Sequence, residues 1–138
     1  METVQATKIT VETVVNAPVE AVWKCWTTPE DIVHWNAASE DWHTTNAKND
    51  LRAGGEFSSR MEAKDGSMGF DFGGTYETVN QYELIVYRLG DGRKVEVIFE
   101  PRGSQTHIVE TFDAEHENSI ERQRDGWQAI LDNFKSYV

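Results

Sequence analysis

"ERQRDGWQAILDNFKSYV", residues 121–138, is the stretch whose reading decides the fold. Trp127, Ile130, Leu131 and Phe134, with Ile120 just ahead of them, recur at helical spacing, and polar or charged residues fill most of the positions between. The spacing predicts one long amphipathic helix reaching about Tyr137. Asn118, with Glu121 three residues on, has the form of a capping box at its start. Gly126 stands inside this helix, where glycine costs on the order of 1 kcal/mol relative to alanine. It falls at the margin of the apolar face beside Trp127. Three readings follow: a close approach of strand backbone, room for a ligand, or a helix bend or surface position that tolerates glycine.

A helix with one apolar face needs a surface to cover, and the residues before it supply one. From Leu51 onward the period is two. Phe57 and Met61 alternate with Glu56, Ser58, Arg60 and Glu62; Phe70, Phe72 and Tyr76 with Asp71, Thr75 and Glu77; Val95, Val97 and Phe99 with Lys94, Glu96 and Glu100. "KDGS" at 64–67 and "GDGR" at 90–93 are Asp-Gly hairpin signals, so neighbouring strands are expected to pair antiparallel. Gly54-Gly55 and Gly73-Gly74 interrupt strand pattern and predict bends, hence a curved sheet.

Nearer the N-terminus, "KITVETVV", Lys8 to Val15, reads as a further strand. Asn16 and Pro18 then open a short helix with Val19, Val22, Trp23 and Trp26 on one stripe. Thr28 precedes Pro29 and is pushed out of helical geometry, so this helix stops and a second runs from about Pro29 to Trp35. Residues 36–50 read as loop-rich. The expected order is strand, two short helices, a meander of five or six strands, and the long helix: an α+β fold in one domain over residues 1–138.

Composition narrows the function classes. Five Trp, six Phe and 38% hydrophobic residues argue for a folded core. The formal charge of -11 repels nucleic-acid backbones and anionic bilayers, so neither is expected as a partner. One cysteine, Cys25, makes no internal disulfide. "METVQATKIT" carries no signal-peptide pattern, no run is long enough to span a membrane, and a cytoplasmic, monomeric protein is expected.

The segments "APVEAVWKCWTTPEDIVHWNAASEDWH", "LRAGGEFSSRMEAKDGSMGFDFGGTY" and "ERQRDGWQAILDNFKSYV" together resemble the SRPBCC superfamily, with its helix-grip, START-like or birch-pollen-allergen-like fold. Within it the chain is similar to bacterial proteins related to the C-terminal domain of the activator of heat-shock-protein-90 ATPase. The resemblance runs over essentially the whole chain. It implies a curved antiparallel sheet wrapped around the long C-terminal helix, with a hydrophobic cavity between them. Members bind lipids, hormones and polyketides, and a few catalyse cyclisation.

On that expectation Phe57, Met61, Phe70, Phe72, Tyr76, Val97 and Phe99 line the concave face opposite Trp127, Ile130 and Phe134. His107 shares the alternate set of Val109, which would put it in the cavity as a hydrogen-bonding or acid–base group; a satisfied structural histidine is the plainer reading. "SEDWH" at 39–43 either dresses the cavity mouth or tucks Trp42 into the core. His34, Asp41 and His43 match no metal-ligand spacing, so neither metal nor cofactor is expected. The leading expectation is binding of a hydrophobic or aromatic small molecule. The alternatives are a cyclase- or hydrolase-type cavity enzyme using His107 or Tyr76, and a chaperone-associated interaction domain, for which no sequence feature speaks.

Overall fold

The computed structural model describes residues 7–138; the reading of the N-terminus as lacking a targeting signal falls partly on residues 1–6, outside them. The chain runs β1 (Lys8–Val15), α1 (Val19–Thr27), α2 (Pro29–Trp35), β2 (Trp42–Asn49), β3 (Glu56–Ala63), β4 (Gly69–Asn80), β5 (Leu84–Leu89), β6 (Lys94–Arg102), β7 (Gln105–Asp113) and α3 (Ile120–Tyr137). The strands form one antiparallel sheet in the order β1-β7-β6-β5-β4-β3-β2. It is a curled half-barrel that grips α3, the α+β helix-grip architecture.

Local chemistry explains the element ends. Thr28 stands extended at φ -89° and ψ 120°, as a residue before proline must, and divides α1 from α2. Val19, Val22 and Trp23 are the buried stripe of α1. Its start has no side-chain cap; the Asn16 side chain instead accepts a hydrogen bond from Gln105 Nε2 at 2.7 Å. Both Asp-Gly turns form hairpins, with Gly66 and Gly92 at φ 79° and 91°, in the left-handed region. Register shifts at Thr44/Asn46 and Tyr76/Thr78 add twist. Gly74 permits a close strand approach, since a Cβ there would lie 2.1 Å from the carbonyl oxygen of Arg88.

Two expectations need correction. Residues 42–49 form strand β2, not loop. "WHTTNAKN" lacks apolar alternation because β2 is an edge strand, paired only with β3 and largely solvated. The cap of α3 is Ser119, whose Oγ accepts from Arg122 N–H at 3.1 Å, and not Asn118. Asn118 N–H is held by the Glu115 carboxylate at 2.8 Å, and the buried amide of Gln123 donates to the carbonyl of Asn118 at 2.9 Å, so the turn before the helix is fixed from inside.

The register places Val95, Val97 and Phe99 on the inner face, while Glu77 and Glu100 pair outside with Arg88 and Arg102. Phe134 is completely buried, edge-on to Trp26 (4.9 Å) and Trp35 (4.8 Å). This cluster locks α3 against α1 and α2. Among the described residues, no helix is long and apolar enough to cross a membrane.

Candidate functional site

Between the inner face of the sheet and α3 lies a cavity of about 480 Å³, within the range of small-molecule sites. The alternation of β3 and β4 builds one wall: Phe57, Ser59 and Met61, then Phe70, Phe72 and Tyr76. From α3 come Gly126, Trp127, Ile130 and Leu131, and from the two short helices Trp26, Ile32 and Trp35. Phe70 is about half exposed and packs against Trp42 at 5.8 Å, so the cavity reaches the surface beside the start of β2. Trp42 therefore belongs to the mouth.

Trp127 is packed against two other rings. Its indole stacks on Phe112 with ring centres 3.9 Å apart and planes 12° from parallel, and meets Phe72 edge-on at 6.2 Å. The ring thus ties α3 to β7 and β4. Gly126 beside it lines the cavity, and a Cβ there would have no atom within 4 Å. A close strand approach is not the reason for this glycine. Gly126→Ala is therefore expected to stabilise the helix by up to about 1 kcal/mol, read as a higher melting temperature. Gly126→Leu is expected to project into the cavity.

Seven of the ten sequence-derived site residues come together on the cavity: Phe57, Met61, Phe70, Phe72, Tyr76, Trp127 and Ile130. Val97 and Phe99 face the same side of the sheet but lie in solid core outside the cavity wall; Phe99 packs edge-on to Trp23 and Trp26. His107 is misplaced by the alternation argument. In β7 the buried set is Thr106, Ile108, Glu110 and Phe112, so His107 and Val109 point outward. His107 there approaches Arg102 at 3.1 Å and Glu12 at 3.2 Å, a surface network on the far side of the sheet.

The same parity exposes the residue that sequence reasoning missed. Glu110 points inward, is only 6% exposed, and lines the cavity. Burial pushes its carboxyl up to about 8, so it holds its proton at neutral pH. Glu110 lies between Ile108 and Phe112 on their face of the strand, but Val109 in the opposite set leaves the parity of β7 undecided from its own residues. Tyr87 and Arg93 share the cavity wall, with Arg93 paired to Asp91 at 2.7 Å. Burial also raises the Tyr87 and Tyr76 phenols well above the ordinary tyrosine value. The Tyr76 hydroxyl donates to Asn49 Oδ1 at 2.6 Å, and Asn49 donates to the Thr27 carbonyl at 2.7 Å, so Tyr76 braces β4 to β2 and the end of α1.

A curled antiparallel sheet closed by one long helix over an apolar cavity defines a helix-grip protein, and here the buried carboxyl of Glu110 stands in the cavity wall. The chain belongs to the family described as Activator of Hsp90 ATPase homolog 1-like protein, whose model matches residues 16–138. The AHSA1-like protein from Aeromonas hydrophila is 48% identical and superposes with a TM-score of 0.90 over 96% of this chain and 92% of that one. A protein from Cytophaga hutchinsonii is 55% identical, with a TM-score of 0.83 over 94% and 90% of the two chains. A Chromobacterium violaceum protein at 22% identity and a TM-score of 0.82, over 96% of this chain and 97% of that one, shares the fold. Comparison with curated proteins gives no match.

Proposed function

We propose that this protein binds a hydrophobic or aromatic small molecule between the curled sheet and α3. The observation that carries the reading is the cavity itself: an aromatic and aliphatic enclosure of about 480 Å³, reaching the surface beside Trp42 and Phe70. Packing at ordinary interior density leaves few voids larger than a water molecule, so a space of this size is a feature the fold maintains. Its aromatic walls suit flat or ring-containing ligands, and Trp127, stacked on Phe112, offers them an aromatic surface.

Binding is favoured over catalysis because His107 stands on the outer face and the Tyr76 hydroxyl is committed to Asn49. Neither supplies the convergent acid, base and oxyanion donors that turnover needs. The test is a panel of neutral aromatic compounds and fatty acids, followed by tryptophan fluorescence. Binding at micromolar strength or weaker is expected for part of the panel, with loss of that binding in Gly126→Leu while the variant stays folded. No binding across the panel, or full binding by Gly126→Leu, would contradict the reading.

A further inference from the structure

Glu110 is costly where it stands. Its side chain projects from β7 into the concave face, opposite Val11 of β1 and Val97 of β6, neither of which can hydrogen-bond it. Among the described residues none donates to it or accepts from it; burial alone accounts for the shift of its carboxyl. No solvent-inaccessible side-chain nitrogen or oxygen of the described residues lacks a partner, so the carboxyl oxygens face accessible space, and the cavity is the space Glu110 lines. A fold that needed only apolar packing here would be served better by leucine or methionine, since a carboxyl set in an apolar wall costs desolvation free energy without return.

We infer that Glu110 is the polar anchor of the cavity, donating a hydrogen bond from its neutral carboxyl to a carbonyl oxygen on an otherwise apolar, ring-containing ligand. The inference rests on the cavity-binding reading above and adds the ligand's chemistry to it. A neutral carboxylic acid has one O–H donor, which a ketone or similar carbonyl satisfies and a hydrocarbon leaves unpaired. The other ionisable groups on the cavity wall are Tyr76, Tyr87 and Arg93. Both phenols stay neutral, and the Arg93 guanidinium disfavours a second cation, so an ammonium ligand is the weaker fit. From α3 the cavity meets only Gly126, Trp127, Ile130 and Leu131, none ionisable.

Three naphthalene probes of nearly one shape separate the possibilities: acetylnaphthalene, its hydrocarbon isostere isopropenylnaphthalene, and naphthylethylamine, each titrated by amide-detected NMR. At about pH 6.5 the ketone is expected to bind roughly tenfold more tightly than the hydrocarbon. That preference should vanish at about pH 9.5, where Glu110 is ionised and donates nothing, and it should vanish at both pH values in Glu110→Leu. Glu110→Gln, whose amide still donates, should keep the preference at both. Carbon-detected titration of the wild-type carboxyl gives an independent readout, because a bound ketone should raise its pKa and a bound ammonium should lower it. Equal affinity for ketone and hydrocarbon would overturn the anchor while leaving apolar binding intact. Tightest binding by the amine would overturn it in favour of a cationic ligand. Failure of all three probes to bind would remove the cavity-binding reading, and the anchor with it.

Discussion

Glu110→Gln is expected to make the protein more stable at neutral pH, by about 3 kcal/mol at pH 7. The sign follows from proton binding. Burial raises the folded-state pKa of Glu110 to about 8, whereas the unfolded chain ionises it near the ordinary glutamate value. Below that ordinary value both states are protonated and the group is neutral towards stability. As pH rises from there towards 8, the unfolded state gives up its proton while the folded state keeps it, so the unfolded state gains and stability falls. Above about 8 both states are ionised and the loss levels off. Glutamine removes this dependence while keeping size and polarity. Urea unfolding of both proteins from about pH 4 to pH 8 should show curves that converge at the acid end and separate towards neutrality. Parallel curves would show that Glu110 ionises normally in the fold.

The second large effect has the opposite sign. Phe134→Ala is expected to cost about 3 to 5 kcal/mol and to lower the melting temperature by roughly 10 °C or more. Phe134 has no exposed surface, and its ring is the shared partner of Trp26 and Trp35, which also pack on each other at 5.0 Å. Truncation leaves both indoles without their edge-to-face neighbour and opens space where α3 meets the two short helices. Thermal unfolding measures it directly. A loss under about 1 kcal/mol would mean that α3 is held chiefly by its contacts with the sheet.

Most of this architecture is legible in the chain because local and tertiary signals agree. Lys8–Val15, Pro29–Trp35 and the strands flanking the two Asp-Gly turns fall where β-branching, X-Pro restriction and period-two alternation place them. The stretch at 42–49 is a strand for a reason that no local pattern contains: it completes the sheet edge opposite β1, and its polar side chains are compatible with loop or strand alike. Ser119 and Asn118 are both good caps, and the choice between them depends on Glu115 and Gln123, which act through the folded turn.

The cavity divides in the same way. Its apolar walls on β3, β4 and α3 follow from periodicity, but its polar group does not. β7 has apolar residues in both alternating sets, so the strand read alone does not say whether His107 or Glu110 faces inward. The pairing with β1 decides it: Ile9 and Val11, both buried, sit opposite Phe112 and Glu110. Gly126 was readable as a position where a side chain would intrude, though what surrounds it is cavity space and not strand backbone.

The most direct test of the central claim, that the space between sheet and helix is a ligand site, is the set of intermolecular nuclear Overhauser contacts made by bound acetylnaphthalene. The expected contacts run from the probe's ring protons to the Met61 methyl, the Ile130 methyls and the Trp127 indole, three groups on β3 and α3 that meet on the cavity wall. Contacts confined to exposed apolar residues such as Met68 and Ile98, with none to Met61 or Ile130, would contradict it.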